Sequence, residues 1–119
     1  MKAVVCKEFG PIENLTVEDL PDPTPGPGEL VIAIHAAGVN FPDGLMVQGN
    51  YQMKPPRPFT PGNEVAGIVS AIGPGVNTHR IGDRVVALCG LNGFAEKVAV
   101  AAERVLPIPT KWISTPPAA

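Results

Sequence analysis

The chain has 119 residues, 45% of them hydrophobic, with 9 basic and 11 acidic side chains and a net charge of −2. That length fits one domain with a real core, and its basic residues are too scattered to follow a nucleic-acid backbone. No apolar run approaches the roughly 20 residues of a membrane-spanning helix. Met1-Lys2-Ala3-Val4-Val5-Cys6 meets its next charge too soon for a signal peptide, so a cytoplasmic location is expected.

The apolar pattern predicts many short strands punctuated by glycine and proline, which favours a sandwich or barrel. The first strand is expected at Lys2–Lys7 and a ragged, edge-like one at Asn14–Asp19. Pro21-Asp22-Pro23-Thr24-Pro25-Gly26-Pro27-Gly28 reads as a rigid crossing between strands, because prolines fix φ and the glycines permit turning. Glu29–Ala37 follows, apolar on both faces except for His35, and is predicted to be a central strand. A short helical turn is expected after Asn40, with Asn40 as cap, Pro42 in the first turn and Asp43 facing the positive end of the dipole. Tyr51 lies in the polar loop beyond it. Val65–Ile72 is the next strand, then a tight turn at Gly73-Pro74-Gly75 and a polar loop in which His79 should be solvated. Asp83–Leu88, Ala95–Val100 and Arg104–Ile108 complete the strands, with Phe94 expected in the core.

Few residues suggest chemistry. Cys6 and Cys89, the only cysteines, sit among aliphatics and read as small hydrophobes rather than a disulfide. Neither Gly-Pro-Gly is a dinucleotide fingerprint, since each has proline in the middle and lacks the third glycine. No Gly-x-Ser-x-Gly or His-Glu-x-x-His is present to support a hydrolase. Glu64 is expected to play a structural part, with Arg84 as a candidate partner, and Asp43 that of a first-turn acid. Arg57, between two prolines, is open to either cleft contact or solvent. The Asn40 carboxamide can donate and accept, so it is either a simple helix cap or a ligand-binding group. Tyr51, the only tyrosine, is either an ordinary half-buried aromatic or a cleft residue.

Gly38-Val39-Asn40-Phe41-Pro42-Asp43 and Pro61-Gly62-Asn63-Glu64-Val65-Ala66-Gly67 resemble the N-terminal catalytic domain of the medium-chain dehydrogenase/reductase superfamily. Met1-Lys2-Ala3-Val4, Pro25-Gly26-Pro27-Gly28-Glu29-Leu30-Val31-Ile32, Gly82-Asp83-Arg84-Val85 and Gly93-Phe94-Ala95-Glu96 extend the likeness. Their order and spacing together make it specific, and it fades after Pro109. The resemblance implies a mainly β, GroES-like, partly open barrel over residues 1–109. Residues 110–119 would be a tail, or the start of the connection to a Rossmann domain that these 119 residues lack. In the zinc alcohol dehydrogenases of this superfamily, a Cys would stand at position 40 and a His at position 63. Neutral carboxamides are far poorer zinc ligands, so no metal is expected.

The closest branch is the zinc-independent, NADPH-dependent quinone oxidoreductases, homodimers that transfer hydride to a quinone or similar conjugated carbonyl. The resemblance implies that Asn40 and Tyr51 line the cofactor and substrate pocket, with Tyr51 the candidate catalytic residue. One rival reading is an enoyl-thioester reductase with Tyr51 as proton donor. Another, from a different class, is a non-enzymatic GroES-like binding or oligomeric module. Without the Rossmann domain, the isolated chain is expected to be inactive.

Overall fold

The computed structural model describes residues 1–38, 47 and 57–108. Among the described residues there are seven strands: β1 (Lys2–Val5), β2 (Thr16–Asp19), β3 (Glu29–Gly38), β4 (Glu64–Ile72), β5 (Arg84–Leu88), β6 (Lys97–Ala101) and β7 (Val105–Pro107). All seven expected strands are present: β3 and β4 each run one residue longer than expected, and the others lose one or two residues at their ends. Thus 3-10 turns at Ile12–Asn14 and Ala102–Arg104 occupy the ground before β2 and β7. The crossing at 21–28 has no regular structure and carries the chain from β2 to β3.

β1 and β2 form an antiparallel ribbon, and the other five strands form an antiparallel sheet in the order β6-β3-β4-β5-β7. β3 therefore has a partner on each side, as its two-sided apolarity demands. The ribbon is stitched to the sheet by bridges between Ala3 and Ala95 and between Cys6 and Phe59. Val4 N–H donates to the Phe94 carbonyl at 2.8 Å, and Cys6 and Phe59 exchange backbone bonds of 2.7 and 3.0 Å. These links wrap the ribbon partway round the sheet, giving a GroES-like barrel that stays open.

Alternation sets the core. β5 and β6 bury every second residue, contributing Val85, Ala87, Val98 and Val100. Leu30, Ile32, Val65, Val69 and Val105 complete this cluster, each burial supplying about 1.5–3 kcal/mol of gross hydrophobic stabilisation. A smaller cluster of Cys6, Val47 and Phe59 lies under the first loop, with Phe9, Leu15 and Leu91 against it. Burial raises the Cys6 thiol pKa, outweighing the nearby charge of Arg57, and no disulfide joins the two cysteines. Both facts match the apolar reading of Cys6.

The ion pairs among the described residues lie on or beside the ribbon. Lys2 pairs with Asp19, Lys7 with Glu18, and Asp22 with both the N-terminal amine and Lys97. Hydrogen bonds from the N-terminal amine and then Lys97 hold the Asp22 carboxyl below its ordinary range, and the Thr16 hydroxyl and Lys7 do the same for Glu18. These groups are wet, so their part in stability is small.

His79 departs from the sequence expectation: it is buried, only 7% exposed. Its Nε2 lies 3.1 Å from the Val105 carbonyl and its Nδ1 2.9 Å from the Thr78 hydroxyl. A carbonyl can only accept, so Nε2 donates to Val105, while Nδ1 and the Thr78 hydroxyl share the second bond. The ring pins the 76–83 loop to β7, a long-range contact that a polar local sequence conceals. His79→Ala removes this buried donor and should cost about 1–3 kcal/mol, read as a lower urea midpoint at unchanged slope.

Candidate functional site

The two most informative sequence blocks meet at one end of the large sheet. β3 ends at Gly38, which pairs with Glu64, and Glu64 in turn pairs with Leu88. The backbone thus brings the entry to the Asn40 segment beside the Pro61–Gly67 block. Asn40, Asp43 and Tyr51 themselves lie outside the described residues.

Asn63 is described and half-buried, and its loop is held by a second loop. Four consecutive carbonyls accept backbone N–H groups from the 89–94 turn: Thr60 from Asn92 at 2.8 Å, Pro61 from Phe94 at 3.0 Å, Gly62 from Gly93 at 2.8 Å and Asn63 from Cys89 at 2.8 Å. The Cys89 thiol adds a bond to the Gly62 carbonyl at 3.4 Å. This approach requires glycine on both sides. Gly62 has φ 107°, and a Cβ there would sit 2.7 Å from the Phe94 nitrogen; one on Gly93 would sit 2.8 Å from the Gly62 oxygen. Two motif glycines far apart in sequence are therefore one structural feature. Each was visible as a motif residue, but nothing in the sequence says that they touch.

Other candidates are dispersed. Glu64 is exposed and does not meet Arg84, because the antiparallel register places Glu64 opposite Leu88 and Arg84 opposite Ile68, at the other end of the ladder. His35 is exposed at a register shift in β3, between Ile34 and Ala36, as expected of an edge-facing residue. Arg57 is exposed and stacks over the Phe9 ring, 4.4 Å from its centroid. Phe94, expected in the core, is half-buried and lines a groove of about 370 Å³ with Val4, Val17 and Ile34, because its backbone is committed to the Gly62 turn.

On the outer face at the same sheet end lies an open concavity of about 590 Å³. Ala36, Ala66, Val86, Leu88 and Leu106 form much of its wall, and among the described residues Glu64 and Arg104 are the charged ones that line it. Among the described residues, no three His, Cys, Asp or Glu side chains gather as a metal site would require. No described helix is long and apolar enough to cross a membrane. The described residues form a hydrogen-bonded frame beside the point where the chain leaves β3 at Gly38.

Seven short antiparallel strands around a Val-rich core, with glycine-locked loops at one end, define a GroES-like domain. The family model for the alcohol dehydrogenase GroES-like domain matches residues 26–110, and the chain belongs to that family, within the medium-chain dehydrogenase/reductase superfamily. It is 42% identical over 109 residues to the mouse (Mus musculus) synaptic vesicle membrane protein VAT-1 homolog-like, covering 92% of this chain and 26% of that protein. It is 40% identical over 96 residues to the rat (Rattus norvegicus) quinone oxidoreductase-like protein 2, covering 81% of this chain and 27% of that protein. Escherichia coli quinone oxidoreductase, solved in complex with NADPH, superposes with a TM-score of 0.89 at 30% identity, over 96% of this chain and 35% of that one. The chain thus spans about a quarter of the length of the two mammalian relatives.

Proposed function

We propose that the chain is the catalytic-domain portion of a zinc-independent, NADPH-dependent quinone oxidoreductase that is cytoplasmic and homodimeric at full length. Residues 1–109 would form the domain, and residues 110–119 the start of the connection to a dinucleotide-binding domain. The observation that carries this reading is the meeting of Gly38 with Glu64. It brings together the two blocks whose zinc-ligand positions are filled here by Asn40 and Asn63. The likeness to quinone oxidoreductases, one of them bound to NADPH, supports it.

Among the described residues, nothing offers a pyrophosphate site: the helical elements with described bounds are three-residue 3-10 turns, and neither Gly-Pro-Gly opens a helix. When bound, NADPH supplies the hydride. Asn40 would orient the nicotinamide and acceptor carbonyl through its carboxamide, and Tyr51 would cover the ring and offer its hydroxyl to the substrate. The acceptor gains that hydride and a proton, and a quinone becomes a hydroquinone. Asn63 serves through its backbone, as part of the frame that keeps the pocket wall in place.

The isolated 119-residue chain is expected to show no measurable reductase activity and to bind NADPH too weakly for calorimetry at micromolar concentrations. Micromolar binding would overturn the division of the cofactor site between two domains. In a longer polypeptide that includes the dinucleotide-binding part, quinone reduction should survive Tyr51→Phe with a modest loss. A severe loss confined to an enoyl-thioester substrate would move the assignment to a thioester reductase, with Tyr51 as proton donor. A ring-sized assembly of the isolated chain in sedimentation would favour a non-enzymatic module instead.

A further inference from the structure

We propose that Asn92 is a latent deamidation site, kept unreactive by the lock between residues 60–63 and 89–94. Asn92-Gly93 is the one Asn-Gly step in the sequence. Asn92 is exposed, in the irregular segment between β5 and β6, with φ 75°. In an Asn-Gly step the glycine backbone nitrogen attacks the asparagine side-chain carbonyl carbon. A C–N bond forms, the side-chain amide nitrogen leaves as ammonia together with the attacking proton, and a cyclic imide results. Water then opens the imide to aspartate or isoaspartate, so nothing beyond solvent is consumed. Glycine makes such a step reactive because no Cβ hinders the attack.

Here the nucleophile is occupied. Gly93 N–H is held by the Gly62 carbonyl at 2.8 Å, and its neighbours Asn92 and Phe94 donate to Thr60 and Pro61 at 2.8 and 3.0 Å. For Gly93 nitrogen to reach the Asn92 side chain, its bond to Gly62 must break and the peptide must rotate. The space for rotation is missing, since even a methyl group on Gly93 would come within 3.0 Å of Val65 Cγ1. Reaction must therefore wait for a local opening of the two loops. Isoaspartate adds a methylene to the main chain between residues 92 and 93. The four-carbonyl ladder cannot reform in register across that insertion. The modification would thus undo the brace on the loop that carries Asn63.

The test is incubation of the intact chain at mildly alkaline pH, folded and in urea, followed by peptide mapping with isoaspartate detection. In urea, Asn92 should deamidate before every other asparagine. In the folded chain it should react at least about tenfold more slowly, as expected if reaction needs local opening. Asn92→Gly, which keeps a residue suited to positive φ, should remove the fast product in urea. Molecules carrying isoaspartate at position 92 should exchange the amide protons of Gly93, Phe94 and Cys89 faster than unmodified ones. Equal rates in the folded and unfolded chain would overturn the protective lock. Faster reaction at another asparagine in urea would overturn the site itself.

Discussion

Gly67→Ala should cost the fold about 3 kcal/mol or more, a value reserved for severe overpacking, and should lower the urea midpoint far more than Gly10→Ala. Its Cβ would lie 2.1 Å from the Ala33 carbonyl oxygen and 3.0 Å from Ile32 Cγ2. The oxygen is main chain and cannot step aside as a side-chain end would. Ala33 belongs to the central strand, paired with Ile68 of β4 on one side and Lys97 of β6 on the other. Moving it away from residue 67 would disturb both ladders. The close approach arises between two register shifts, at Val31/Ile32 and Ile34/Ala36, where β3 and β4 bend together. Gly10→Ala is the control: its Cβ would meet only the Asn14 side-chain amide at 3.5 Å, an ordinary contact. Its effect should stay within about 0.5 kcal/mol. Equal effects at the two positions would show that Gly67 is not held by that carbonyl.

The strands were legible because their signal is local. Val- and Ile-rich runs bounded by Gly-Pro-Gly, Gly82-Asp83 and Asn92-Gly93 leave little choice of element, and the apolar span of Leu30–Ala36 foretells a neighbour on each side. Register and loop-to-loop contact carry no such local signal. Hence Glu64 and Arg84, which look like partners on adjacent strands, lie at opposite ends of one ladder. His79 sits in a polar stretch yet is buried, because β7, 26 residues further along the chain, supplies an acceptor carbonyl. The proposed site rests on motif spacing and the family resemblance alone. Asn40 and Tyr51 are named by the blocks around them, whereas the Gly62–Gly93 lock required coordinates. Periodicity reports which face of a strand is dry; it does not report which glycine another loop will touch.

Replacing Leu88 and Leu106 by lysine should have different consequences in the 119-residue chain (the short form below) and in a longer polypeptide of the kind proposed above (the long form). β5 alternates strictly, with Val85 and Ala87 in the core and Val86 and Leu88 facing outward. An antiparallel sheet with one wet face ordinarily places polar residues outside. Here Arg84 is the one charged member of the outward set in β5, and the rest of this end is apolar: Leu88 and Leu106 are 60% and 63% exposed, and Val86 lies directly opposite Leu106. This wall of the open concavity resembles an interface more than a surface. In the isolated chain, Leu88→Lys with Leu106→Lys should change stability by no more than about 0.5 kcal/mol, as for surface positions, while reducing self-association in light scattering. If the chain is one part of a longer oxidoreductase, that face is covered there, and the same lysines would be buried without partners. They should then lower the thermal midpoint and the soluble yield of the long form. A long form as stable as its parent would place the face in solvent and remove it from the domain contact. A large loss of stability in the isolated chain would instead show that Leu88 and Leu106 already support the core of the short form.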